Sequence, residues 1–328
     1  MATKTLIVLI LAHGIFGWGK DEAATQQDQM KDYYYGVAKC LKDESRLRHP
    51  EIELVLVAPR VPAADSVEIR GAKLKEKIEE TLKHYPRGTR VHILAHSMGG
   101  LDARWVIVQD GMADKIASLT TIATPHRGTT LGDLAYAALP MIMPSAQALK
   151  DLSDIGRLAL ALSGFEDHLE FYHHLLDRII IDSKQDEAKV QKGLYALTLE
   201  GAEEFNRRQA AKEQAVRARK DKPVAYFAYG GVAQPDQIPL LRPSHEVIEL
   251  FGTPEEQQTG NDGAVSVWSA HYPWDDAARH YVKTIPFDHF MQVNWRIPET
   301  RPREDMSNDL QAVYREIMEK IILVQRAR

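Results

Sequence analysis

Leu94-Ala95-His96-Ser97-Met98-Gly99-Gly100 is the stretch whose reading decides the fold of this chain. Before it runs Arg90-Val91-His92-Ile93-Leu94, with the length and composition of a buried strand. After it, Leu101-Asp102-Ala103-Arg104-Trp105-Val106-Ile107-Val108 reads as a helix. A serine flanked by small residues at a sharp strand-to-helix turn is a nucleophile elbow, usually written G-x-S-x-G. Ala95 replaces the first glycine. The serine occupies a strained turn, and a bulky residue two places away would collide with it. A plain Ser-Gly loop is the competing reading until the other catalytic parts are found.

Working outward, strands alternate with helices. Thr5 to Leu11 is a strand apolar on both faces, as in a parallel sheet covered by helices. Gln26 to Lys42 reads as a helix around Tyr33-Tyr34-Tyr35, and Ile52 to Val57 as the second strand. Ser66 to His84 is an amphipathic helix with Ile69, Leu74, Ile78 and Leu82 near helical spacing, capped by Asp65 or Ser66. Val91 to Leu94 and Leu119 to Ala123 are the next strands. From Thr129 to about Lys222 the strand signals stop and Ala, Leu and Met accumulate. Helical stretches are predicted there over Ile155 to Leu162 and Phe165 to Ile181, and the charged Glu200 to Lys222 reads as a solvated face. The sheet resumes at Pro223-Val224-Ala225-Tyr226-Phe227-Ala228-Tyr229-Gly230-Gly231, Tyr281 to Ile285 is strand-like, and Met306 to Val324 is a closing amphipathic helix. The expected architecture is α/β: a mostly parallel sheet flanked by helices, with residues 1–128 and 223–328 as the core and 129–222 as a helical lid or core-forming insertion.

Bulk properties narrow the function. The chain has 328 residues, 44% hydrophobic and 27% charged, as in an ordinary globular protein. A net charge of -5, from 41 basic and 46 acidic residues, gives no reason to expect nucleic-acid binding. The single cysteine, Cys40, excludes an internal disulfide and favours a reducing, cytoplasmic compartment. Leu6 to Leu11 runs straight into Ala12-His13-Gly14 without a cleavage site, so it reads as a core strand rather than a signal. No stretch approaches the ~20 apolar residues that cross a bilayer.

A serine hydroxyl needs a base, an acid to orient that base, and donors for the oxyanion. In α/β-hydrolases the chain order is Ser, then Asp or Glu, then His. Of thirteen histidines, only His271, His280 and His289 follow a suitable acid late in the chain. His289 is preferred because it sits on a loop after a strand; His271 and His280 flank a Trp/Asp-rich loop and read as surface or packing residues. Asp262, in an Asn-Asp-Gly turn, is the preferred acid. Asp288 adjoins His289, but neighbouring side chains in an extended segment point apart. The oxyanion hole combines the N–H of Met98 with that of Ile15, on the loop after the first strand, and His13 is assigned to loop packing. His168, His173 and His174 do not fit metal-ligand spacing.

Taken together these motifs resemble the bacterial true lipases of the Pseudomonas and Burkholderia type. The resemblance runs through Ala12-His13-Gly14-Ile15, Asp32-Tyr33-Tyr34-Tyr35-Gly36, Ala95 to Arg104, Thr121 to Thr129, Ala196-Leu197-Thr198 with Phe205-Asn206, Tyr229-Gly230-Gly231, Asn261-Asp262-Gly263 and Asp288-His289-Phe290. It implies Ser97 as nucleophile, Asp262 as acid, His289 as base, Ile15 and Met98 as oxyanion donors, and hydrolysis of acyl esters at a lipid–water interface beneath a helical lid. Secreted relatives also carry a signal, a disulfide and a calcium ion. Here Trp268 stands at the second cysteine's position, and Met291 and Leu240-Leu241 stand where calcium carboxylates are expected, so no cofactor is anticipated. A shorter-chain carboxylesterase and an acyltransferase use the same triad and remain open. A binding module without turnover is the reading from another class, against which the complete set of triad candidates stands.

Overall fold

The computed structural model describes residues 4–17, 33–142, 188–233, 241–272, 280–295 and 305–327. Its centre is a six-stranded sheet in the order β2-β1-β3-β4-β5-β6, every pair parallel. The strands are β1 (Thr5–Ala12), β2 (Ile52–Val57), β3 (Val91–His96), β4 (Ile116–Ile122), β5 (Ala225–Gly231) and β6 (His280–Ile285). All six overlap the apolar runs that predicted them, although β3 runs on to His96 and β4 starts at Ile116, three residues before the predicted Leu119.

The lack of alternation in β1 has a direct cause. Ile7, Leu9 and Leu11 pack on one face with α1 (Tyr35–Arg48) and α9 (Asn308–Arg326). Val8, Ile10 and Ala12 pack on the other with α2 (Val67–Leu82) and α3 (Gly99–Ile107). Each face of the strand is therefore buried under helices, and a polar residue on either would lose water without gaining a partner.

Two helix expectations are corrected, and the cap alternative is resolved. α1 begins at Tyr35 and runs to Arg48, six residues past the predicted end at Lys42; 26–32 lie outside the described residues. In α2 the buried face is Val67, Arg70, Gly71, Leu74 and Ile78, while Ile69 is exposed. Leu74 and Ile78 are buried as expected, but Ile69 lies five residues before Leu74, off the three- and four-residue spacing of the buried face. Gly71 lies so close to α3 that a Cβ there would be 2.6 Å from Trp105. Ser66 is the cap, accepting from the Ile69 N–H, while Asp65 accepts from Ser66.

Among the described residues, no strand lies between β4 and β5. The helices there are α4 (Thr130–Ile142), a helical stretch over 188–195, and α5 (Leu199–Arg217). The helices predicted over Ile155 to Leu162 and Phe165 to Ile181, with His168, His173 and His174, lie outside the described residues. α5 is not simply a solvated face: Ala202, Phe205, Gln209 and Glu213 are buried at steps of three and four. Three short helices follow β5: α6 (Arg242–Phe251), α7 (Pro254–Thr259) and α8 (Val267–Ala270). No described helix is long and apolar enough to cross a membrane.

Register fixes where chemistry can occur. Ala12 pairs with Ala95, His96 with Ile122, Ile122 with Tyr229 and Gly231 with Ile285. The carboxyl ends of five strands thus share one edge, and the loops leaving it carry Gly14, Ser97, Asp262 and His289. The strand order reverses between β1 and β3, and the crevice at such a switch point is where open α/β sheets bind ligands.

Candidate active site

β3 ends at His96, α3 begins at Gly99, and Ser97 between them has a φ of 53°. A non-glycine residue in this region stores on the order of 1–3 kcal/mol, held here by the surrounding structure. The Ser97 N–H donates to the Ile122 carbonyl at 2.9 Å, and the Ser97 carbonyl accepts from Gly100 at 3.0 Å. The flanking glycines are steric requirements: a Cβ on Gly99 would lie 2.5 Å from the Ala12 carbonyl oxygen, and one on Gly100 would overlap Thr124. Ala95 is fully buried and pairs with Ala12 on one side and Thr121 on the other.

The candidate acid, Asp262, and the candidate base, His289, lie within hydrogen-bonding distance of each other. Asp262 is fully buried and both its oxygens accept. Oδ1 takes the N–H groups of Ala264 at 3.0 Å and Val265 at 2.8 Å. Oδ2 takes the Gln292 side-chain amide at 2.7 Å and faces His289 Nδ1 at 3.0 Å. A carboxylate oxygen accepts, so Nδ1 carries the imidazole proton and Nε2 keeps its lone pair for a substrate-side proton. The His289 N–H also donates to the Asp262 carbonyl at 2.9 Å.

The other candidates separate from this pair. Asp288 turns away and accepts from Phe290 and Met291, both at 2.8 Å, capping the turn Met291–Val293; burial pushes its carboxyl up to about 6. His271 Nε2 donates to the Lys283 carbonyl at 2.9 Å, a packing role. His280 opens β6, and its side chain is not among those described. His13 donates from Nδ1 to the Gly14 carbonyl at 2.9 Å, and burial lowers its pKa to about 3, so it stays neutral in the loop.

Gly14 lies against the candidate nucleophile: a Cβ there would be 2.9 Å from Ser97 Cβ and 3.3 Å from Ser97 Oγ. Its carbonyl is held by His13, by Gly17 at 3.3 Å and by Arg70 at 3.3 Å. In a trans peptide the following N–H points opposite to the carbonyl. Clamping the Gly14 carbonyl therefore sets the direction of the Ile15 N–H. The Phe16 N–H is committed to Ala63 at 2.7 Å.

Four residues that sequence reasoning did not single out support this arrangement. Arg70, fully buried, donates to the carbonyls of Pro62, of Ala63 at 3.1 Å, of His13 at 2.9 Å and of Gly14, and pairs with Asp102 of α3 at 2.8 Å. Burial pushes the Asp102 carboxyl up to about 6, against the pull of Arg70. One signal was present: Arg70-Leu74-Ile78 puts a charge in an apolar stripe. Gln292, also fully buried, holds Asp262, and the Tyr314 hydroxyl donates to its carbonyl at 2.7 Å. Arg104 binds Glu213 at 2.8 Å between the rings of Phe205 and Tyr272, fastening α5 to the elbow helix. His96 bridges to the His289 loop. Nothing in the local sequence marks these last three.

The parallel sheet, the elbow at its switch point and the Ser-Asp-His order define an α/β-hydrolase fold. Residues 66–140 match the PGAP1-like alpha/beta domain family. The chain is similar to bacterial triacylglycerol lipases: 29% identical to that of Vibrio cholerae, over 82% of this chain and 75% of that one. It is 25% identical to that of Pseudomonas fragi over 92% of each. Among solved structures, mature Bacillus licheniformis lipase BlEst2 superposes with a TM-score of 0.57 at 16% identity, covering 97% of this chain and 92% of that one. Lipase 1 from Pelosinus fermentans gives 0.57 at 17% identity, covering 97% and 99%.

Proposed function

We propose that this chain is a serine ester hydrolase of the lipase and esterase class, acting through an acyl-enzyme on Ser97. The observation that carries the reading is the Asp262–His289 pair on the same sheet edge as a strained serine elbow. His289 Nε2 takes the Ser97 proton as Oγ attacks the ester carbonyl, and the alcohol leaves with that proton. Water, activated by the same nitrogen, then releases the acid. The N–H groups of Ile15 and Met98 receive the oxyanion; removing one such donor costs roughly 3–4 kcal/mol of transition-state stabilisation. Ser97→Ala abolishes ester turnover and labelling by a serine-directed phosphonate; retained turnover refutes the assignment.

The substrate is an acyl ester of the triacylglycerol type, in the manner of the Pseudomonas and Burkholderia enzymes. Supporting this, Leu139, Val190, Leu194 and Ala64 form an apolar cluster against which Ile15 and Phe16 pack. The insertion thus brings apolar surface to the oxyanion loop, as an acyl-chain site requires, and 129–222 acts as its lid. Rates on emulsified triacylglycerol above and below its solubility limit test this: a rise only above the limit supports an interfacial lipase, and equal rates favour a soluble carboxylesterase.

The chain works without calcium. Leu241 packs on Gly263, where a Cβ would lie 2.6 Å from its own Cβ, and Met291 occupies the position after Phe290. An apolar side chain fills the place of one expected carboxylate, and Asp288 is engaged by two amides. Activity unchanged by a chelator supports this; loss restored by calcium overturns it.

A further inference from the structure

We propose that Tyr33 and His96 form a positioning relay that keeps the base-bearing loop and the oxyanion loop in register. The inference rests on the assignment of Ser97, Asp262 and His289 above.

His96 is the last residue of β3, next to the nucleophile, and is buried. Its Nε2 lies 2.9 Å from the backbone carbonyl oxygen of His289. A carbonyl only accepts, so Nε2 carries the proton. Burial, reinforced by His289, holds the His96 pKa well below the ordinary histidine value, so the ring is neutral and Nδ1 presents a lone pair. The Tyr33 hydroxyl is hydrogen-bonded to that Nδ1 and must donate to it. Burial raises the Tyr33 pKa, keeping the phenol protonated, while a backbone hydrogen bond with Gly14 acts the other way. A bond that lowers a phenol's pKa is one its oxygen accepts, so the Gly14 N–H is the donor. Every proton in the series then has a fixed direction: Gly14 N–H to Tyr33, Tyr33 O–H to His96 Nδ1, and His96 Nε2–H to the His289 carbonyl. The series starts on the oxyanion loop and ends on the residue that bears the base.

Without this link, the remaining hydrogen bonds of His289 among the described residues all go to Asp262, through its N–H at 2.9 Å and its ring at 3.0 Å, and the base can pivot about that partner. The bond to His96 is a hold on the far side of the residue. The two imidazoles lie 4.7 Å apart between centroids, so His96 also limits rotation of the base. Because His96 is neutral, it does not oppose the imidazolium formed during turnover. At the other end, the Cβ position of Gly14 lies 3.2 Å from the Tyr33 oxygen and 3.3 Å from Ser97 Oγ, so the relay starts beside the nucleophile.

The test compares Tyr33→Phe, His96→Asn and His96→Gln. The glutamine amide reaches the position of Nε2 and can keep the bond to the His289 carbonyl; the asparagine amide reaches only that of Nδ1. Rates on a soluble short-chain ester are expressed per active serine, counted by phosphonate titration. Tyr33→Phe and His96→Asn lower kcat on the order of tenfold to a hundredfold with KM little changed, the scale of a misplaced catalytic group, and His96→Gln recovers most of it. The relay is overturned if His96→Asn keeps wild-type kcat per titrated site, if His96→Gln is as impaired as His96→Asn, or if lost activity equals lost sites. Nitrogen-15 NMR of the wild-type protein provides a measurement that needs no variant. His96 appears as a neutral Nε2–H tautomer throughout the range where activity titrates, and an Nδ1–H tautomer refutes the relay. A wild type that neither labels at Ser97 nor cleaves esters defeats the functional assignment instead, a result the tautomer measurement does not share.

Discussion

Replacing Gln292 with Glu tests the acid–base pair with almost no change of shape. The substitution exchanges an amide donor 2.7 Å from Asp262 Oδ2 for a second carboxylate oxygen in a fully buried site. Two unit charges at that separation repel by about 6 kcal/mol at an effective dielectric of about 20. The pair avoids this by keeping one proton, which raises the folded-state pKa of the introduced carboxyl above its unfolded value of about 4.3. A raised acid pKa means that the folded state binds more protons than the unfolded one. Stability relative to wild type is therefore unimpaired in acid and is lost as pH rises past about 4.3, at up to about 1.4 kcal/mol per unit. If the shared proton persists to neutrality, the loss at pH 7 reaches roughly 3–4 kcal/mol, a large share of a total near 5–15 kcal/mol. Gln292→Leu is the reference. It removes the same hydrogen bond but also a buried Gln292 Oε1 that has no hydrogen-bond partner among the described residues, so its net cost is about 1–2 kcal/mol and flat in pH. Urea unfolding from pH 4 to pH 8, with kcat/KM on a soluble ester, measures both variants. The reasoning fails if the glutamate variant parallels wild type or the leucine variant at every pH.

Other consequences follow from the same geometry. Arg70→Met strands the buried Asp102 carboxylate and releases the Gly14 carbonyl, so urea unfolding shows a loss of about 3–5 kcal/mol. Adding Asp102→Asn recovers part of it; no recovery means that the carboxylate is not the source. His13, His96 and His126 are all buried with pKa values held below the usual 6.5 by burial, so the folded state resists protonation there. Stability is full above about 6.5 and falls on acidification by up to about 1.4 kcal/mol per unit for each histidine, over the window that for His13 extends down to about 3. A curve of unfolding free energy flat from pH 7 to pH 5 refutes this. Gly100→Ala places a methyl group on Thr124 and displaces the elbow, reducing phosphonate labelling of Ser97. Gly100→Ala combined with Thr124→Gly restores it.

The strands were legible because a strand buried on both faces must be apolar throughout, and β1 meets that condition from Ile7 to Leu11. The elbow was legible because its small residues answer a local backbone requirement, seen in the positive φ of Ser97. Asp262 and His289 followed from chain order, and the structure brings them together across 27 residues. What escaped was of another kind. Ile69 was given to the core as an apolar residue near the stripe, but the face that meets the sheet and α3 runs through Val67, Arg70, Gly71, Leu74 and Ile78 and leaves it exposed. The charged stretch from Glu200 was read as solvated because Glu213 gives no sign that Arg104, 109 residues earlier, awaits it.

By itself the amino-acid sequence determined the elements, their parallel sheet and the candidate nucleophile, because local sterics and two-sided burial are written in consecutive residues. Tertiary structure decided which polar groups hold the site in shape: Arg70 on the oxyanion loop, Gln292 on the acid, and His96 on the loop of the base. A buried polar side chain is stable only with its partner, and each of these partners comes from a different strand or loop end. Only the closed sheet edge, where those ends converge, brings them within hydrogen-bonding distance.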